Sequence, residues 1–161
     1  MKCDENPEET AVRSVNAMFA TAMMLVATVV GFIKSASAME LITQEEAKLP
    51  DGISGSRGIT LGPLIILVSP PAAAGMIKSP LNLKIKFESR GGVKVDEDSV
   101  VLTYQKNPPI DLTQRSRSFI SIHGINIENA TVPAGTHSIR VDVKDVQGRS
   151  NFLEFGFTIT R

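Results

Sequence analysis

Apolar and polar residues alternate along most of the chain beyond residue 60, and the alternation has a period of two. Over residues 81–88, Leu81, Leu83, Ile85 and Phe87 fall on one face and Asn82, Lys84, Lys86 and Glu88 on the other. Over 136–144, Ile139, Val141 and Val143 alternate with Ser138, Arg140, Asp142 and Lys144. That stretch opens on a turn signal, Pro133-Ala134-Gly135, and closes on another running from Asp145 to Gly148. Such a pattern predicts a half-buried strand followed by a hairpin. Residues 151–160 repeat it with Leu153, Phe155, Phe157 and Ile159, and 100–105 with Val100, Leu102 and Tyr104. Asn107-Pro108-Pro109 stops the latter. Residues 63–68, PLIILV, are continuously apolar with prolines at both ends, which confines them to an edge or first strand. Residues 119–122 and 125–132, separated by His123-Gly124, are weaker strand candidates.

About seven strands in about 100 residues, with turn signals every 8 to 12 residues or so, is the spacing of an all-β antiparallel sandwich. No segment sustains a 3.6-residue period, so a helical or α/β fold does not fit. The sandwich is expected over residues 61–161.

The first sixty residues differ in kind. Residues 17–33 form a 17-residue run without a charge, followed by Lys34 and then Ser35-Ala36-Ser37-Ala38. Small residues at Ala36 and Ala38 make an A-x-A peptidase site, so residues 1–38 are expected to be a signal peptide cleaved between Ala38 and Met39. An uncleaved anchor is the competing expectation. Asp4, Glu5, Glu8 and Glu9 outnumber Lys2 and Arg13 ahead of the run, against the usual positive start. Translation is therefore expected to begin near Val12 or Met18. Residues 39–60 are rich in small and polar residues, with Pro50-Asp51-Gly52 and the SGSRG run at 54–58. They predict a flexible linker, with a short helix over 40–48 at most.

The late strand and its turns resemble the last hairpin of bacterial immunoglobulin-like domains, where a Pro-x-Gly-x-His opening (Pro133, Gly135, His137) and an Asp-x-x-Gly turn (Asp145, Gly148) recur. Ser69-Pro70, Ser79-Pro80 and the Asp-x-x-Ser-Val run from Asp96 to Val100 fit the same pattern. The resemblance covers about residues 63–160 and implies an Ig-like sandwich. It carries little about activity.

Composition narrows the chemistry. The formal net charge is zero, and +1 once residues 1–38 are removed, so nothing steers nucleic acid or an anionic membrane. The single cysteine is Cys3, so the cleaved chain has no disulfide, thiolate metal site or cysteine nucleophile. His137 shares the inward set with Ile139 and Val141, where it either ligates or transfers protons, or caps the sheet end by hydrogen-bonding a loop carbonyl. His123 has no third histidine or cysteine to join it. The periplasmic copper-resistance sandwiches resemble this chain in their strand openings. Their ligand positions, however, are here Met39-Glu40 and the turn ending in Arg149, which disfavours copper. Asp96, Glu97 and Asp98 with Asp142 or Asp145 are the only calcium candidates, and they lack the usual ligand strings. Asn129-Ala130-Thr131 matches a glycosylation sequon by chance.

A sugar platform is hard to assemble without tryptophan and with Tyr104 on a core face. No G-x-S-x-G or H-E-x-x-H occurs. Lys84, Lys86, Arg140 and Lys144 face outward and form a basic patch if their strands share a sheet. Otherwise they are ordinary solvated positions with Glu88 and Asp142 as counter-charges. The expectation is an exported, periplasmic or secreted, non-catalytic binding module without a cofactor. Its partner is a protein or an envelope polysaccharide, with an accessory carbohydrate-binding role as the alternative.

Overall fold

A computed structural model describes residues 38–53, 55, 61–71 and 75–160. The apolar run at 17–33 and the expected translation start lie outside the described residues. In chain order the elements begin with β1 (Met39–Glu40), α1 (Gln44–Ala47), β2 (Leu64–Ser69), β3 (Met76–Lys78) and β4 (Leu81–Glu88). They continue with β5 (Val95–Tyr104), β6 (Ile110–Asp111), α2 (Thr113–Ser116), a 3-10 turn (Arg117–Phe119) and β7 (Ile120–Ser121). The last three are β8 (Gly124–Thr131), β9 (Gly135–Asp145) and β10 (Ser150–Thr160).

These strands make two five-stranded sheets, the architecture of a β-sandwich. Sheet one runs β1-β8-β4-β2, with β7 also on β8, and sheet two runs β3-β10-β9-β5-β6. The alternation seen in sequence is realised as burial. Leu81, Leu83, Ile85 and Phe87 turn inward from β4, and Val100, Leu102 and Tyr104 from β5. Ile139, Val141 and Val143 from β9 join Phe155, Phe157 and Ile159 from β10 in the same core. Register follows from keeping these positions opposite one another: Leu83 pairs with Ile127, Leu102 with Val141 and Ile139 with Phe155. A one-residue slip would turn each inward set to solvent.

The expectation of a purely antiparallel sandwich is corrected, because the sheets are mixed. β1 runs parallel to β8, and β3 runs parallel to β10. β3 lies in sheet two between β2 and β4 of sheet one, and β1 is far in sequence from β8, so neither is joined to its partner by a hairpin and direction is not forced to alternate. β3 was not foreseen: it is three residues long, too short for a period to register.

The linker expected over 39–60 is also corrected, for residues 39–51. Leu41 and Ile42 are both 0% exposed and belong to the core. The amide of Leu41 donates to the Thr131 carbonyl at 3.1 Å, extending the pairing of β1 with β8. Thr43 then starts α1 with a capping box. Its hydroxyl accepts from the Glu46 amide at 3.2 Å, and its own amide donates to the Glu46 carboxylate at 2.9 Å. Arg115 donates to both carboxylate oxygens of Glu46, at 2.6 and 2.9 Å, and to the Leu41 carbonyl at 3.1 Å. At the far end Asp51 pairs with Lys106 at 2.6 Å, while the Gly52 amide donates to the Gln105 carbonyl at 3.1 Å. Residues 39–51 therefore act as a latch from β8 in sheet one to the end of β5 in sheet two.

The Glu46–Arg115 clamp carries a prediction. The hydrogen bonds from Arg115 hold the Glu46 carboxyl below its ordinary value of 4.5, against the opposing effect of burial. A lowered folded pKa stabilises the protein above the ordinary value, and that stability is lost as pH falls through the folded pKa. Glu46→Gln is expected to cost roughly 2 kcal/mol near neutral pH, as for hydrogen bonds to a charged partner. The difference from wild type should shrink under acid. Urea unfolding of both proteins at neutral and acid pH measures it.

Candidate functional site

The four basic residues singled out in the sequence do not form one patch. Lys84 and Lys86 stand on β4 in sheet one, and Arg140 and Lys144 on β9 in sheet two. Alternation tells which face a residue takes but not which sheet carries it. On sheet two the charge is largely absorbed. Asp142 accepts from Arg140 Nε at 2.8 Å and Nη2 at 2.7 Å, and the guanidinium lies 4.1 Å from the Phe152 ring centroid.

Sheet one keeps a more open arrangement. A groove of about 460 Å³ crosses its outer face, lined by Val68, Lys84, Lys86, His123, Gly124 and Asn126 among others. In the pairing of β4 with β8, Gly124 lies opposite Lys86 and Asn126 opposite Lys84. Only glycine fits at 124: its φ is +142°, and a Cβ there would sit 2.0 Å from the Ile85 carbonyl oxygen. Glycine there lets β8 approach the β4 backbone closely beside Lys86. The tight turn between β7 and β8 brings His123 to the rim, and the Phe87 amide fixes it by donating to the His123 carbonyl at 2.9 Å. Lys86 pairs with Glu88 at 2.9 Å, whereas Lys84 makes no ion pair among the described residues.

The groove adjoins a free sheet edge. β2 pairs with β4 along one side, and among the described residues no strand pairs with the other. Its start is tied to sheet two, where the Gly62 amide donates to the Ser150 carbonyl at 3.1 Å and Asn151 Nδ2 to the Pro63 carbonyl at 2.7 Å. Beyond that point β2 presents exposed Leu64 and Val68, 41% and 45% accessible.

The histidines are not brought together, since His123 lies on sheet one and His137 on sheet two. His137 is buried, with Nε2 2.9 Å from the Pro133 carbonyl and Nδ1 2.8 Å from the Tyr104 hydroxyl. A carbonyl only accepts, so Nε2 carries the proton and the tyrosine donates to Nδ1. The histidine thus caps the corner leading into β9. Burial chiefly pushes its pKa down, helped by the charge of Lys106. Lys106 itself lies 5.4 Å from the Tyr104 ring centroid and pairs with Asp51. Tyr104 is wholly buried and offers no stacking surface.

The acidic calcium candidates are engaged elsewhere. Asp98 pairs with Arg117, and an Asp96 carboxylate oxygen accepts from the Asp98 amide at 3.1 Å. Asp142 holds Arg140, and Asp145 accepts from the Gln147 and Arg149 amides and from Arg149 Nε. Among the described residues no group of three or more His, Cys, Asp or Glu is placed to hold a metal ion. Neither the groove nor the Asp51–Lys106 pair was foreseen from the sequence. The one signal available for the groove was a glycine directly after His123 at the head of a strand. No protein-family model matches the chain, and no curated protein matches it.

Proposed function

We propose that this chain is an exported, Ig-like binding module that takes an extended segment of a partner protein onto the free edge of β2. The carrying observation is that edge: a six-residue strand paired, among the described residues, on one side only, with exposed apolar side chains and a groove beside it. Strand addition to such an edge draws affinity from main-chain hydrogen bonds and specificity from neighbouring side-chain pockets. Two short strands of this chain, β1 and β3, already add to sheet edges in that manner. The Ig-like assignment is supported by the β9 corner, where His137 bonds back to the Pro133 carbonyl as a corner tyrosine does in sandwiches. Export is supported by the uncharged run at 17–33 and the small residues before Met39.

The test is retention from envelope extract on the immobilised full-length chain, with sheared cell-wall polysaccharide in parallel. The proposal expects one protein at near-stoichiometric level and slowed amide exchange over Leu64–Ser69 in the complex. The second reading, an accessory module for an acidic polysaccharide, is favoured by Lys84 and Asn126 in the groove. It gains if glycan is retained and no protein is.

A further inference from the structure

Resting on the strand-addition reading, we infer that the segment taken up by β2 is β2 of a second copy of this chain, antiparallel to the first about a two-fold axis at Ile66. The Phe87 amide donates to the His123 carbonyl, so Phe87 turns its backbone groups to the β8 side of β4. Phe87 is the register partner of Ile65. Backbone groups along a strand point to alternate sides. Leu64 and Ile66, opposite Glu88 and Lys86, therefore bond to β4, while Ile65 and Leu67 turn their amides and carbonyls to the free edge.

A two-fold axis at Ile66 sets Ile65 opposite Leu67 of the second copy, and Leu67 opposite its Ile65. Each pair exchanges two amide–carbonyl bonds, about four in all. The register irregularity of β2 falls between Leu67 and Ser69, so this ladder is complete before it. The neighbouring axes are worse. One at Ile65 opposes Leu67 to Pro63, which has no amide and whose carbonyl already accepts from Asn151. One at Leu67 runs the ladder into the irregularity.

Any backbone completes the ladder; the fit of this edge to itself is what selects a second copy. On the outer face Ile66 meets Ile66 at the axis, and exposed Leu64 comes beside exposed Val68 of the second copy. From Leu64 to Ser69 the strand carries neither a charge nor a proline, the devices by which edge strands ordinarily repel their like. Behind the edge, β4 sets Glu88, Lys86 and Lys84 opposite Leu64, Ile66 and Ser69. The second copy runs that row in reverse, so the acidic end of each faces the basic end of the other. Lys86 and Glu88 neutralise one another at 2.9 Å, which leaves no net like charge at the axis. A formal net charge of zero adds no long-range repulsion between copies. Six residues a side fall well short of the roughly 20–30 of a standard interface, so the pairing is weak and the dilute chain is monomeric.

The experiment is sedimentation velocity on the full-length chain from about 5 to about 500 μM, the range expected of so small an interface, with amide exchange at both ends of the series. Wild type is expected to shift from monomer to dimer, with slowed exchange at Ile65 and Leu67. Ile66→Glu and Ile66→Lys each place like charges directly opposite one another and should weaken dimerisation at least about fivefold. An equimolar mixture of the two variants should associate more tightly than either alone, a gain that neither misfolding nor association through another part of the chain imitates. Association that both substitutions leave unchanged, or that protects residues outside β2, overturns the inference. So does a wild type that stays monomeric throughout; strand addition still stands if a protein retained from envelope extract then protects Leu64–Ser69. If neither a second copy nor a retained protein protects β2, both readings fall.

Discussion

Replacing Leu41 and Ile42 together by alanine is expected to destabilise the protein by about 4 kcal/mol or more. Each is a fully buried aliphatic side chain, and a single such truncation costs roughly 2–5 kcal/mol through lost transfer energy and the cavity left behind. The two are adjacent and share neighbours, so their costs need not add in full. Whole domains are stable by only about 5–15 kcal/mol, so this loss is large. The result discriminates sharply. If residues 39–51 were a solvated linker, the double substitution would shift stability by about 0.5 kcal/mol at most. The urea midpoint of the variant at an unchanged slope gives the answer. A midpoint within error of wild type would contradict the latch and detach the Glu46–Arg115 clamp from the fold.

The second large effect is expected at the β9 corner. His137→Ala removes a buried ring and takes the imidazole partner from two buried polar groups, the Tyr104 hydroxyl and the Pro133 carbonyl. A cavity and two lost buried hydrogen bonds together are expected to cost about 4 kcal/mol. Tyr104→Phe keeps the volume and orphans only Nδ1, so its cost should be about 1–3 kcal/mol. The corner also has a pH signature. The folded imidazole is held neutral by burial, so its folded pKa lies below the ordinary 6.5. Below 6.5 the unfolded chain binds a proton that the folded one refuses, so stability falls as pH drops and levels off once the folded pKa is passed. The slope within that window approaches about 1.4 kcal/mol per pH unit. His137→Ala should remove this contribution. If unfolding of the variant retains the wild-type dependence between neutral and mildly acid pH, His137 is not the group responsible.

How much was legible in the sequence varied with range. β4 was expected over 81–88 and is found over Leu81–Glu88, because four strict alternations bounded by Pro80 and Gly91-Gly92 leave little freedom. β9 and β10 were legible to within one residue for the same reason. β5 begins at Val95, ahead of the expected 100, because a register irregularity against β9 lets the acidic 96–98 run continue the strand. What failed is what alternation does not encode. A period of two fixes a side chain's face, yet it names neither the sheet nor the partner. Whether Lys84 and Arg140 were neighbours therefore stayed open in the sequence, and they stand on different sheets. Leu41-Ile42 is too short for any period, and Arg115, which secures that segment, lies 74 residues away from Leu41 in sequence. The free edge of β2 was partly legible, because Pro63 and Pro70 allow only an edge or first strand. The groove beside it is lined across the β4–β8 pair, with Gly124 opposite Lys86 and Asn126 opposite Lys84, a pairing that no local pattern announces.

The most direct test is hydrogen exchange on the full-length chain, alone and with the protein it retains from envelope extract. The account predicts that protection on binding is concentrated over Leu64–Ser69, with smaller changes in β4. Protection confined to sheet two or to the end loops, with β2 exchanging as in the free protein, would contradict it.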